Sequence, residues 1–145
     1  MVVLNEMKLE FLSRSVNESL ARSSVSQFAA QLDPTLEELG DIKTAVSEAV
    51  TNAVVHAYPD KLGLIQIKAR LLEGGVLEVT VRDKGVGIED TNTARTPLYT
   101  TGGAERSGMG FSIMESFMDL LKVRSVPGRG TTVVMRKRVM QRLLR

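Results

Sequence analysis

Hydrophobic and polar residues alternate in three stretches of the chain, the pattern of a half-buried β-strand. These stretches are residues 7–11, 64–71 and 76–82. A Glu-Gly-Gly segment at residues 73–75 separates the last two, which predicts a β-hairpin. The alternation therefore predicts an opening strand and, later in the chain, a pair of antiparallel strands.

Between the first strand and the hairpin, hydrophobic residues recur every three or four positions, which predicts two helices. Each has a candidate capping box at its start, Ser15 with Glu18 and Thr35 with Glu38. The first helix is expected to run to about residue 32, and its apolar side is Leu20, Phe28 and Leu32. The second is expected to end near residue 56, and its apolar face is Leu36, Leu39, Ile42, Val46, Ala49, Val50, Ala53 and Val54.

The C-terminal third begins with a long polar segment without periodicity, residues 89–106, and such loops are usually functional. A third helix is predicted over residues 110–120, followed by strands at 121–126 and 130–138. The order β-α-α-β-β-loop-α-β-β predicts an α+β fold. We expect one domain over residues 1–145, a two-layer α/β sandwich whose mostly antiparallel mixed sheet is covered on one face by helices.

Composition excludes several classes of protein. The 145 residues include no Cys and one His, which excludes disulfides, Cys-ligated metals and a zinc site of several imidazoles. No segment has the pattern of a membrane span or a signal peptide, so we expect a cytoplasmic protein without membrane contact. The net charge of +2 includes several basic residues near the C-terminus, but only 4% of residues are aromatic, so direct nucleic-acid binding is not expected.

Glu48 and Asn52 lie four residues apart on the second predicted helix, so their side chains point the same way. A carboxylate at the border of core and surface can accept a proton or orient a water. An amide oxygen is a suitable ligand for Mg²⁺. The alternative is that both are solvated residues of the helix surface.

Asp83 closes a predicted strand and is followed by Gly85 and Gly87. Its carboxylate could accept a hydrogen bond from an exocyclic amine such as that of adenine. The glycines permit positive φ or close approach of the backbone to a ligand. The alternative is a simple strand-ending turn.

Residues 107–111, Ser-Gly-Met-Gly-Phe, form a glycine-rich entry into the third helix. Such an entry presents unpaired N–H groups and the positive end of the helix dipole, which suits phosphate. A hinge with an N-cap serine is the alternative. The Walker A pattern does not occur, so this is not a P-loop. His56, one turn after Asn52, and the threonine pairs at 100–101 and 131–132 are further candidates.

Together these residues resemble the motifs of the GHKL (Bergerat-fold) ATPases. Glu48 and Asn52 correspond to the N box, residues 83–87 to the G1 box, residues 107–110 to the G2 box, and Thr132 to a late strand threonine. Within that superfamily, further stretches are similar to the anti-sigma-factor family of serine kinases: residues 5–7, 13–19, 31–35, 47–53, 98–101 and 105–111.

The resemblance implies ATP or ADP and Mg²⁺ as cofactors. Glu48 would be the general base, Asn52 the Mg²⁺ ligand and Asp83 the partner of the adenine amine. Gly108 and Gly110 would bind phosphate in an ATP lid of residues 89–110, and Arg106 would contact the γ-phosphate or the protein substrate as a second catalytic group. The other implied nucleotide contacts are His56, Gly85, Gly87, Ile88, Thr100, Thr101, Ser107, Met109, Phe111 and Thr132.

The same resemblance implies two protein partners. The chain would hold a sporulation sigma factor of the sigma F type inactive, and it would phosphorylate a serine of an anti-anti-sigma factor. Arg22 on the first helix is the candidate partner contact, and a homodimer is implied. The open alternative is a non-catalytic module that sequesters its sigma factor with nucleotide as a structural ligand. A histidine-kinase catalytic domain would need a helix pair with a phospho-accepting His, which this sequence does not contain.

Overall fold

The computed structural model describes residues 1–87 and 110–139. Along the chain these residues form the elements β1 (Val3–Leu12), α1 (Asn17–Ala29), α2 (Leu36–Asn52), β2 (Leu64–Leu72), β3 (Val76–Asp83), α3 (Gly110–Phe117), β4 (Leu120–Val126) and β5 (Gly130–Arg138). A 3₁₀ turn, Ala30–Leu32, follows α1, and a π-helical turn, Ala53–Ala57, follows α2. The predicted element order is confirmed.

The described strands form one sheet in the order β1-β2-β3-β5-β4. Each neighbouring pair is antiparallel, so the sheet is not mixed as far as these residues show. Odd-numbered residues of β2, β3 and β5 face the helices and are buried, as at Ile67, Val79 and Met135. The predicted α+β sandwich is confirmed. Its other sheet face carries the even-numbered, mostly polar residues.

The centre of the helical layer is α2, which buries Ile42, Ala45, Val46, Ala49 and Val50. Its predicted capping box forms: the Glu38 N–H donates to Thr35 Oγ1 at 3.0 Å, and the Thr35 N–H donates to Glu38 Oε1 at 2.8 Å. Leu36 is 89% exposed, so its predicted place on the apolar face is wrong. The first turn of α2 projects beyond the packed layer, and the buried face begins at Ile42.

The start of α1 differs from the prediction. The residue before the helix is Val16, without a side-chain cap bond, so the Ser15–Glu18 capping box does not form. Glu18 instead accepts a hydrogen bond from Thr51 of α2 at 2.7 Å. The buried face of α1 is Ala21, Val25, Phe28 and Ala29, while Leu20 is 47% exposed. The two helices α1 and α2 pack against each other.

Candidate functional site

The structure brings Glu48, Asn52 and Gly110 together. Glu48 and Asn52 are half-buried on the last two turns of α2, and Gly110 begins α3. An ideal Cβ placed on Gly110 would lie 3.2 Å from Asn52 Nδ2 and 3.3 Å from Glu48 Oε2. The glycine therefore leaves room for two polar side chains where a helix begins.

Asp83, the last residue of β3, is a buried carboxylate with 8% of its surface exposed. Its Oδ1 accepts two backbone hydrogen bonds, from Gly85 at 2.9 Å and from Thr131 at 3.2 Å. Burial raises the pKa of Asp83, and the two hydrogen bonds act in the opposite direction. Both hydrogen bonds use the same carboxylate oxygen, Oδ1.

Gly85 and Gly87 are needed for packing between backbones. The Val86 N–H donates to the Ala57 carbonyl at 2.9 Å, and a Cβ on Gly85 would overlap that same carbonyl oxygen. Gly87 has a φ of 76°, and a Cβ there would overlap the Val126 carbonyl. The loop after Asp83 is thus held between the end of α2 and the β4–β5 turn, and its glycines permit that contact.

Tyr58 adds a second connection that the sequence did not indicate. Its hydroxyl donates to the Leu64 carbonyl at 2.8 Å and accepts from the Lys84 N–H at 2.8 Å. The segment after His56 is therefore bonded to the residue that follows Asp83.

The threonine beside Asp83 is Thr131, whereas the sequence pointed to Thr132. In the β3–β5 register Asp83 lies opposite Thr131, and Arg82 lies opposite Thr132. Thr131 is buried, and its Oγ1 is 2.8 Å from Ser125 Oγ. Successive strand residues point to opposite faces, so Thr132 lies on the open sheet face. Thr132 stays a prediction as a nucleotide contact, and the buried odd-numbered residues Val133 and Met135 are the signal that could have indicated Thr131 as the neighbour of Asp83.

Three further candidates differ in their surroundings. His56 is half-buried in the π-helical turn after α2. Phe111 is 4% exposed within the hydrophobic core, so its ring serves packing. Arg22 Nη1 donates to Ser47 Oγ at 3.3 Å and lies 3.8 Å from Glu18 Oε1, which fixes the guanidinium beside α2.

The remaining predicted site residues lie outside the described residues. They are Ile88, Thr100, Thr101, Arg106, Ser107, Gly108 and Met109, together with all of the predicted lid except Gly110.

In residues 1–87 and 110–139 no three His, Cys, Asp or Glu side chains are grouped so as to hold a metal ion. A Mg²⁺ ion at Asn52 would therefore rely on this amide oxygen together with phosphate oxygens and water, which is a common arrangement for Mg²⁺. Over the same residues no helix is long and apolar enough to cross a membrane.

Comparison with protein families matches residues 11–137 to the histidine kinase-like ATPase domain. The chain is 57% identical over 134 residues to the anti-sigma F factor of Caldanaerobacter subterraneus, covering 92% of this chain and 93% of the relative. It is 53% identical over 135 residues to the anti-sigma F factor of Clostridium acetobutylicum, covering 92% and 94%. The anti-sigma F factor of Clostridium perfringens is 55% identical over 137 residues, covering 93% and 97%.

Solved structures share the fold at lower identity. The RsbU and RsbW domains of a Mycobacterium tuberculosis protein match 93% of this chain and 32% of that one, with a TM-score of 0.68 and 19% identity. The histidine kinase domain of a blue-light activated kinase from Erythrobacter litoralis matches 86% of this chain and 60% of that one, with a TM-score of 0.58 and 23% identity. These likenesses support the fold alone.

Proposed function

The chain belongs to the histidine kinase-like ATPase family and, within it, to the anti-sigma F factors, and from this we propose that it binds and inhibits a sporulation sigma factor, sigma F. We further propose that it is an ATP-dependent serine kinase that phosphorylates, and so inactivates, its anti-anti-sigma factor. It would act as a homodimer.

The observation that carries the proposal is the contact of Glu48 and Asn52 with Gly110. It puts a carboxylate and an amide oxygen at a helix start. The N–H groups of a helix start favour phosphate, and a carboxylate beside that phosphate is the group needed to take a proton from an attacking hydroxyl. Asp83, at the end of β3, supplies a buried acceptor for the adenine amine.

In the proposed reaction the serine oxygen of the partner attacks the γ-phosphorus of ATP. Glu48 takes the serine proton, the bond from the γ-phosphorus to the bridging oxygen breaks, and ADP leaves. A bound Mg²⁺ would neutralise charge on the phosphates, and Asn52 is the residue to hold it. Because phosphoryl transfer depends mainly on positioning and charge neutralisation, the proposal needs Glu48 as its one general base, and Arg106 stays a proposed second catalytic group that neutralises charge.

The alternative function is a module that sequesters sigma F without catalysis, with nucleotide as a structural ligand. The place of Glu48 beside Gly110 favours the kinase, because a carboxylate repels a bound phosphate and so adds nothing to nucleotide binding, whereas phosphate transfer to a serine uses it as a base.

Sigma factor binding can be tested through Arg22, which Ser47 and Glu18 fix beside the site. We expect Arg22→Glu to lose capture of purified sigma F in the presence of ATP. Arg14→Glu, at an exposed arginine just before α1, is the matched control and keeps capture. Equal capture of sigma F by both variants would show that Arg22 is not part of the interface. No capture by the unmodified chain would contradict the proposed anti-sigma function.

A further inference from the structure

The open face of the sheet, opposite the helices, carries its charges unevenly. The strand registers align its side chains in rows that cross the sheet. One row is Glu6, Arg70, Glu78 and Arg136. Arg70 Nε is 2.7 Å from Glu6 Oε2, and Arg136 Nε is 2.8 Å from Glu78 Oε2. We call these four residues the paired row, because its charges neutralise one another.

The next two rows are basic. The first contains Lys8, Lys68, Thr80, Val134 and Lys122, and the second contains Glu10, Gln66, Arg82, Thr132 and Arg124. Glu10, the acidic member of the two rows, accepts a hydrogen bond from Gln66 at 2.9 Å. We call the five cations the basic band: Lys8, Lys68, Arg82, Lys122 and Arg124.

The basic band is not explained by the fold. Lys8 and Lys68 are direct cross-strand partners, and like charges in that position are destabilising. In the described part of the chain the structure records no ion pair for any of the five cations. An acidic ligand on this face would relieve the repulsion, and it would bind away from the nucleotide site, which is in the helical layer.

A groove borders the basic band and adds an apolar contact. It is lined by Glu10, Leu64, Gln66, Arg82 and Lys84. Leu64 is 46% exposed, and its cross-strand partner Leu12 is 48% exposed. The band thus has exposed leucines on one side and the paired row on the other.

We propose that the basic band docks an acidic, amphipathic segment of a partner protein. The two rows are two residues apart along each strand, about 7 Å, and cross five strands, about 19 Å. A single helix or extended segment fits this narrow strip, with its acidic side on the band and an apolar residue against Leu12 and Leu64.

Other occupants fit the surface less well. A nucleic-acid duplex is wider than the band and would place phosphates over Glu6 and Glu78 of the paired row. The band and its groove contain no aromatic side chain on which bases could stack. A second copy of this chain, packed about a two-fold axis through the band, would present the same positive charge.

The test measures binding of a fluorescein-labelled helical peptide with glutamates four residues apart and an adjacent leucine stripe, at low salt. We expect binding that weakens as salt rises, and a loss of about tenfold or more in the triple variant Lys8→Glu, Lys68→Glu and Lys122→Glu. The matched control is Arg14→Glu, Lys43→Glu and Arg129→Glu, exposed cations outside the five strands, and we expect less than about twofold change.

Several results would overturn the proposal. They are equal binding of a peptide with glutamine in place of glutamate, equal loss in both triple variants, or tighter binding of duplex DNA that displaces the peptide. A change of oligomeric state in the band variant by sedimentation would instead identify the face as a contact between copies. A version of the band variant with Lys→Gln at the same three positions is the check on folding. If its thermal unfolding temperature equals that of the unmodified chain, lost binding does not reflect lost folding.

Discussion

At the scale of single residues, the Asp83 carboxyl group has two roles. Its Oδ1 fixes the backbone of Gly85 and Thr131, and its Oδ2 is the proposed acceptor for adenine. Burial raises the pKa of this carboxyl, so the folded chain binds the proton more tightly than the unfolded chain does. The stability that this tighter proton binding adds to the fold is fully present below the ordinary aspartate pKa. It is lost as pH rises through the raised pKa of Asp83.

Asp83→Asn should separate these roles. The amide oxygen keeps the two backbone hydrogen bonds, but the NH₂ group cannot accept the adenine amine. We expect ATP affinity to fall about tenfold or more, the effect of losing a hydrogen bond to a charged group. Thermal stability at neutral pH should be equal or higher, and the gain over the unmodified chain should shrink at acid pH. Calorimetry and unfolding at several pH values measure both effects.

The control is Asp60→Asn, at an exposed carboxylate of the loop before β2, where neither quantity should change. Unchanged ATP affinity in Asp83→Asn would contradict the adenine assignment.

Asn52 is the second residue whose role can be isolated. If its amide oxygen holds Mg²⁺, Asn52→Ala should weaken Mg-ATP binding by about tenfold, and leave metal-free nucleotide binding nearly unchanged. Titration calorimetry with Mg²⁺ and with a chelator gives the two affinities. An equal loss in both conditions would mean that Asn52 contacts the nucleotide itself or supports the fold.

At the scale of elements, the sequence predicted what local rules control. Thr35 and Glu38 form their capping box as the local sequence pattern predicts. Ser15 and Glu18 do not, because Thr51 on another helix binds Glu18, and no local rule includes that contact. The π-helical turn Ala53–Ala57 was also missed. Its Ala57 carbonyl accepts from Val86, a contact visible only in the assembled fold.

Gly85, in the loop after β3, and Gly40, inside α2, give a matched pair of substitutions. A Cβ on Gly85 overlaps the Ala57 carbonyl, so Gly85→Ala should lower stability by about 1–3 kcal/mol and weaken ATP binding. Gly40, inside α2, has no atom within 4 Å of its Cβ position, so Gly40→Ala should raise stability by about 0.5–1 kcal/mol. Denaturant unfolding measures both. A tolerated Gly85→Ala would show that the loop after Asp83 moves independently of α2.

At the scale of the whole molecule, the two-layer fold and the order of its elements followed from hydrophobic periodicity. Periodicity alone did not predict which threonine lies beside Asp83, because that depends on the register between β3 and β5. Thr131, not Thr132, meets Asp83 for that reason. Register also aligned the rows of the open face, so the basic band could not be read from spacing along the chain.

The proposed function requires this site to transfer phosphate to a protein serine with Glu48 as the base. The most direct measurement mixes the chain, loaded with Mg-ATP, with its anti-anti-sigma partner and quantifies phosphoserine by mass spectrometry. We expect the unmodified chain and Glu37→Gln, an exposed glutamate of α2, to phosphorylate equally. Glu48→Gln should bind ATP but transfer phosphate at least about 100-fold more slowly, the usual effect of losing a general base. Phosphoserine formed at an unchanged rate by Glu48→Gln, or none from the unmodified chain, would contradict the claim.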